Sequence, residues 1–254
     1  MSESEKPHTH MPATGATIQY TGYHFLVSFA PAIRLDRKAG CSFAAMLAEH
    51  VEPEDVDLTG EAWTFSTPVG AAANSRLTIS VLRDQIQVEA FFPTDSPEWF
   101  ETRAGLVLRT FGDEFKPKAI LQTGAMVRGR LQIDGDARVY LANHVMHVHK
   151  QRVGPLGRPV HLIGLRLFFP PYQEQVQDKS VTVDWHVNVK AESALDDPSK
   201  LFLEADAQWP FPLEWNAEGL EKVLDRLRIV KEYLDQRVMA FLQREDQPET
   251  EEEG

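Results

Sequence analysis

The chain holds a single cysteine, Cys41, among 254 residues. No intramolecular disulfide can form, and a reducing compartment fits best. Long apolar runs are missing as well: none approaches the ~20 residues that a membrane-spanning helix requires. The N-terminus from Met1 to His10 is polar and lacks the apolar stretch of a secretory signal. Together these absences point to a cytoplasmic protein with no membrane partner. No Gly-x-x-x-x-Gly-Lys-Ser/Thr loop and no strand-linked Gly-x-Gly-x-x-Gly is present, so nucleotide binding lacks its usual phosphate cradle. No Gly-x-Ser-x-Gly elbow is present either, which leaves serine-nucleophile chemistry without support.

Charge is abundant but uneven. The formal net charge is −12. Residues 245–254 carry six acids and no base, and this tail, like the polar residues 1–15, reads as disordered. Residues 126–170 hold seven bases against two acids, so that segment is positive in an otherwise acidic chain. A strongly acidic surface repels phosphate backbones and makes nucleic acid an unfavourable partner.

Between the two termini, residues 16–244 read as one α+β domain with possible halves 16–115 and 118–244. Tyr23, Phe25, Val27 and Phe29 alternate as one face of a first strand. Ser42 to His50 is expected as a short helix capped by Ser42, and Val51 to Gly60 as an acidic connector. Three strands follow near Ala62–Thr67, Leu77–Leu82 and Ile86–Phe92. Ser96-Pro97-Glu98 starts a helix ending at Gly112. In the second half Val127, Leu131 and Ile133 mark a strand face. Asp136–His149 and Val160–Phe169 read as the arms of a hairpin around Gly154-Pro155 and Gly157. Val181–Val189 and Leu201–Trp209 alternate strictly. Asn216 then caps a helix over 217–243 whose Leu220, Leu224, Leu227, Val230, Leu234, Val238 and Phe241 step by three or four.

These elements predict mostly antiparallel sheet in two halves that are loosely similar in layout. Short helices sit in the N-terminal half, and the long C-terminal helix packs across the sheet. The architecture resembles the helix-grip folds by analogy alone.

Three constellations have chemical potential. Four of the nine histidines lie between Asp136 and Phe169. If the hairpin forms with its apolar faces matched, His147, His149 and His161 converge at the loop end, where three imidazoles can ligate a divalent metal. His147-x-His149 resembles the opening of the cupin metal motif, but the glutamate and glycine that complete that motif are absent. Asp184 and His186 share the polar face of one strand, Glu204 and Asp206 that of the next. By the same parity they meet, and a histidine among carboxylates is held charged or shares a metal with them. Arg128, Arg130, Arg152 and Arg158 supply the charge for an anion site.

The sequence thus favours a non-enzymatic binding or interaction protein that needs no cofactor and holds a small ligand or a protein partner against a concave sheet. Two alternatives stand beside it. One is a metal-dependent enzyme on His147, His149 and His161, the other an assembly protein that homodimerises through the last helix.

Overall fold

The computed structural model describes residues 16–69, 74–93, 96–148, 154–158, 160–176 and 179–244. The expected disordered segments 1–15 and 245–254 lie outside them. Strand β1 (Gln19–Ala30) opens the fold. Helix α1 (Arg37–Ala48) follows, then a meander of β2 (Asp55–Leu58), β3 (Trp63–Pro68), β4 (Arg76–Val81) and β5 (Gln85–Phe91), then helix α2 (Pro97–Phe115). The second half begins with β6 (Ala119–Gln132). A short helix α3 (Ala137–Tyr140) runs directly into a π-helical turn over Leu141–Val145, and β7 (Gly164–Phe169) comes next. The ribbon of β8 (Tyr172–Val176) and β9 (Lys179–Val183) precedes β10 (His186–Ser193), β11 (Lys200–Trp209) and the two-residue β12 (Leu213–Glu214). The C-terminal helix is α4 (Ala217–Glu232), a π-helical turn over Tyr233–Val238, and α5 (Met239–Gln243), continuous along 217–243.

One large sheet runs through both halves in the order β2-β3-β4-β5-β1-β6-β11-β10-β7, every pairing antiparallel, with β12 beside the start of β6. The fold is α+β, as the strand alternation and the long terminal helix predict. Each half starts with a long strand that pairs with the last long strand of the same half, β1 with β5 and β6 with β11. A helix then leaves that last strand, α2 in one half and α4 in the other. The halves meet where β1 lies antiparallel to β6, with Phe25 opposite Ala125.

Every long helix packs on the same side. Tyr23, Phe25 and Phe29 on β1 face that side, and so do Ala125 and Val127 on β6 and Leu203, Ala205 and Ala207 on β11, all buried. Phe100 of α2 stacks on Tyr23 and Phe25 with ring centroids 5.4 and 5.8 Å apart. Phe111 sits 4.9 Å from Phe29 and 5.6 Å from Trp215. Leu220, Val223, Leu227, Val230 and Leu234 press the C-terminal helix onto the second half. Burial of this apolar surface, at about 25 cal/mol per Å², is the main force that holds helices to sheet.

Several expectations are corrected. The arm 136–149 is helix rather than strand through Val145: Asp136 accepts from the Arg138 backbone N–H at 2.8 Å as an N-cap, and Ala137, Tyr140 and Leu141, at helical spacing, are all buried. The hairpin therefore does not form, and β7 pairs with β10 instead. Helix α1 starts earlier than expected, capped by Asp36 rather than Ser42. The supposed connector contains β2, and α2 continues past Gly112 to Phe115. The expected strand Val181–Val189 is interrupted at Asp184-Trp185, between β9 and β10.

Candidate functional site

Because α1, α2 and α4 share one side, the other face of the sheet carries none of these long helices. The side chains there are the alternate residues of each strand. His24 and Leu26 come from β1, Gln87, Glu89 and Phe91 from β5, and Gln122, Met126, Arg128 and Arg130 from β6. Phe202, Glu204, Asp206 and Gln208 come from β11, His186, Asn188, Lys190 and Glu192 from β10, and Arg166 and Phe168 from β7. Most are half-buried, each shielded by its cross-strand neighbours.

Arg128 organises the middle of this face. Its Nε donates to Glu204 Oε2 at 2.7 Å, Nη1 lies 3.7 Å from Glu89 Oε1, and the guanidinium stands 5.8 Å over the Phe91 ring. Glu204 is directly opposite Arg128 in the ladder, whereas Glu89 is reached across β1. Burial raises the Glu89 carboxyl pKa despite the arginine. Burial also pushes His24 down to about 4, with the Arg128 charge acting in the same direction and a hydrogen bond to Gln87 opposing it. Asp206 is raised, first by burial and then by Glu204, while His186, Arg128 and Arg166 pull it the other way. His186 Nε2 lies 3.2 Å from Gln208 Oε1, which also accepts from Gln122 at 3.2 Å. Its ring packs 5.7 Å from that of Phe168.

Parity therefore brings together three of the four acidic-cluster residues: His186, Glu204 and Asp206 share this face, and the first two act on Asp206 electrostatically. Their register differs from direct opposition, since His186 faces Gln208, Asn188 faces Asp206 and Lys190 faces Glu204. Asp184 falls in the break before β10 and is exposed, and its charge acts on Arg226 of α4. Among the described residues no group of three or more His, Cys, Asp or Glu side chains is placed to hold a metal ion.

Of the histidine trio, His147 is exposed just beyond the π turn with φ of 50°, and His161 is exposed in the segment before β7. His149 lies outside the described residues. The ladder that was to bring the three together does not exist, because 137–145 is helical. Arg128 and Arg130 stand two residues apart on β6, and both are matched by carboxylates, Arg130 Nη1 lying 2.9 Å from Asp196 Oδ2. Arg158 is exposed on the loop after Gly157, and Arg152 lies outside the described residues.

Sequence reasoning missed a second cluster, on the helix side of the second half. Arg226 of α4 is 7% exposed and lies 5.0 Å over the Trp209 ring, and Trp209 stacks on Trp185, 5.5 Å away at 26°. Trp185 in turn meets Tyr233 edge-on at 5.5 Å. A signal was present: Arg226 lies three residues after Val223 and four before Val230, on the buried face of the helix.

No protein-family model matches the chain, and no curated protein matches it in sequence. Among the described residues no helix is long and apolar enough to cross a membrane.

Proposed function

We propose that the protein is a non-enzymatic binding module that takes a protein partner on the helix-free face of the second half of its sheet. One observation carries this reading: among the described residues, the long helices cover one side of a nine-strand-wide sheet and leave the other to side chains. With β1 and β5 at its border, that face sets five basic residues, Arg128, Arg130, Arg166, Lys190 and Lys200, against four acidic ones, Glu89, Glu192, Glu204 and Asp206, within an acidic chain. This near-balance of charge means that the face itself adds no local repulsion toward an acidic partner. Leu26, Phe91, Met126, Phe168 and Phe202 interleave with the charges. Aromatic residues and arginine among apolar neighbours are the composition of protein interfaces. Phe168, on this face of the edge strand β7, is 59% exposed.

The other two readings have less support. The outer side of α4 presents Glu221, Lys222, Asp225, Arg228 and Glu232, all exposed, so it offers no apolar seam for dimerisation. The metal reading rests on His147, His149 and His161, and the hairpin ladder that was to bring them together does not form.

The test is retention of a partner from native extract by the immobilised wild-type protein and by a Phe168→Asp/Phe202→Asp variant with matched thermal stability. The reading expects a species held by the wild type and lost by the variant. Equal retention by both places binding elsewhere and overturns it. Stoichiometric metal in the purified protein, lost on His147→Ala, would favour the enzyme reading instead.

A further inference from the structure

Arg226 is the one deeply buried cation among the described residues. Its Nη1 donates to the Thr123 hydroxyl on β6, and its guanidinium covers the Trp209 ring. A guanidinium has five N–H donors in a planar fork, and among the described residues Thr123 is the only acceptor it meets. The contrast with other arginines is sharp. Arg128 pairs with Glu204, Arg130 with Asp196, Arg138 with Asp136 and Arg228 with Glu101. Those four are more exposed than Arg226 yet each has a carboxylate in contact, while among the described residues Arg226 has no carboxylate within 4 Å and feels the charge of Asp184 alone. Burial lowers its pKa to about 10, so it stays charged at neutral pH.

A buried charge left without a counter-charge is costly, and a cation–π contact offsets it only in part. Two irregularities of the backbone fall at the same place. The strand that should run from β9 into β10 breaks at Asp184-Trp185, which sets Trp185 on Trp209. The C-terminal helix changes from α to π winding at Tyr233, which presents its ring edge-on to Trp185. π turns inside helices occur frequently at functional sites. Trp185 and Tyr233 are half-buried and Asp184 is exposed, so this edge of the cluster opens to solvent.

We propose that Arg226 and Thr123, with Trp185, Trp209 and Tyr233 around them, form a binding site for a small organic carboxylate with an apolar or aromatic body. The carboxylate oxygens accept from the free arm of the guanidinium fork, the bidentate geometry that arginine favours. The indole and phenol rings receive the apolar body. The aromatic surroundings favour a monoanion over a phosphate dianion, whose desolvation is more costly. The site lies on the helix side of the sheet and shares no residue with the proposed partner face, so either can fail without the other.

Titration with benzoate and, separately, with inorganic phosphate at fixed ionic strength tests it, read by tryptophan fluorescence and thermal melting. Benzoate is expected to give a saturable fluorescence change in the millimolar range and a rise in Tm. Arg226→Met removes both responses. Arg226→Lys keeps the charge but loses the fork, and weakens binding about tenfold. Trp185→Phe diminishes the fluorescence change while the Tm rise persists. Absence of a saturable response to benzoate in the folded wild type, an undiminished response in Arg226→Lys, or a response to phosphate alone would each overturn the assignment.

Discussion

In the first half, α2 meets β1 through rings. Phe100 lies on Tyr23 and Phe25, Phe111 on Phe29, and Phe43 of α1 closes the cluster edge-on to Phe65 and Phe111. In the second half, α4 meets β6 and β11 through alanine, valine and leucine: Ala125, Val127, Ala205 and Ala207 below, Val223, Leu227 and Val230 above. The connectivity of the two halves is alike, but the irregular features are not shared equally. Both π turns, the interrupted strand, the inserted ribbon and the buried arginine belong to the second half. Most of the titratable groups on the helix-free face also lie on β6, β10 and β11. On the proposed function, the regular, ring-packed half is the anchor and the half with the irregularities supplies the groups for recognition.

The strongest way to break this comparison is to cut into the anchor. Phe111 touches Phe29, Phe43, Phe115 and Trp215, the last from the second half. Phe111→Ala should cost about 3–5 kcal/mol. Since one sheet and Trp215 join the halves, denaturant unfolding followed by fluorescence and by circular dichroism should shift as a single transition. Two separated transitions would show halves that fold independently.

A smaller effect comes from His24, on the helix-free side of β1. Its folded pKa of about 4 lies below the ordinary value near 6.5. The unfolded chain therefore binds more protons across that window. The resulting stability is fully present above about pH 6.5 and is lost as pH falls toward 4, by an amount on the order of 2 kcal/mol. His24→Asn should flatten the stability profile between those limits. An unchanged acid limb would mean that the histidine titrates normally.

Helix caps give a third, closely matched pair. Ser96 accepts from the Trp99 N–H at the start of α2 and Asn216 from the Gly219 N–H at the start of α4, at 3.4 and 2.8 Å. Replacing either with alanine should cost about 1 kcal/mol, more for Asn216 with its shorter bond. Asp136→Ala should cost a similar amount through α3. Were 137–145 a strand, that substitution would be nearly neutral.

How much of this was legible in the sequence follows from the same physics. Ser96-Pro97 and Asn216 announce their helices through side-chain chemistry that the structure repeats. The alternation in Leu201–Trp209 places Glu204 and Asp206 on the polar face, where they are found. Around Val139, Leu141 and Val145 the apolar residues satisfy period two, yet Ala137, Tyr140 and Leu141 satisfy the helical period equally, and the Asp136 cap decides between them. Strand β2 has three exposed residues out of four, so it left no alternation to read. Arg226 stayed hidden because a basic residue in an amphipathic helix ordinarily faces water, and only its spacing from Val223 and Val230 says otherwise. The break at Asp184-Trp185 could not be seen because Val181, Val183, Trp185 and Val187 keep their alternation straight through it.

The central claim is that recognition belongs to the second half. Amide hydrogen exchange on the complex recovered with the wild-type protein, compared with the free protein, tests it most directly. The account predicts added protection in β7 and at its outer edge, together with β10, β11 and β6, and none in β2, β3 or β4. Protection concentrated on β2–β4, or on the outer side of α4, would contradict it.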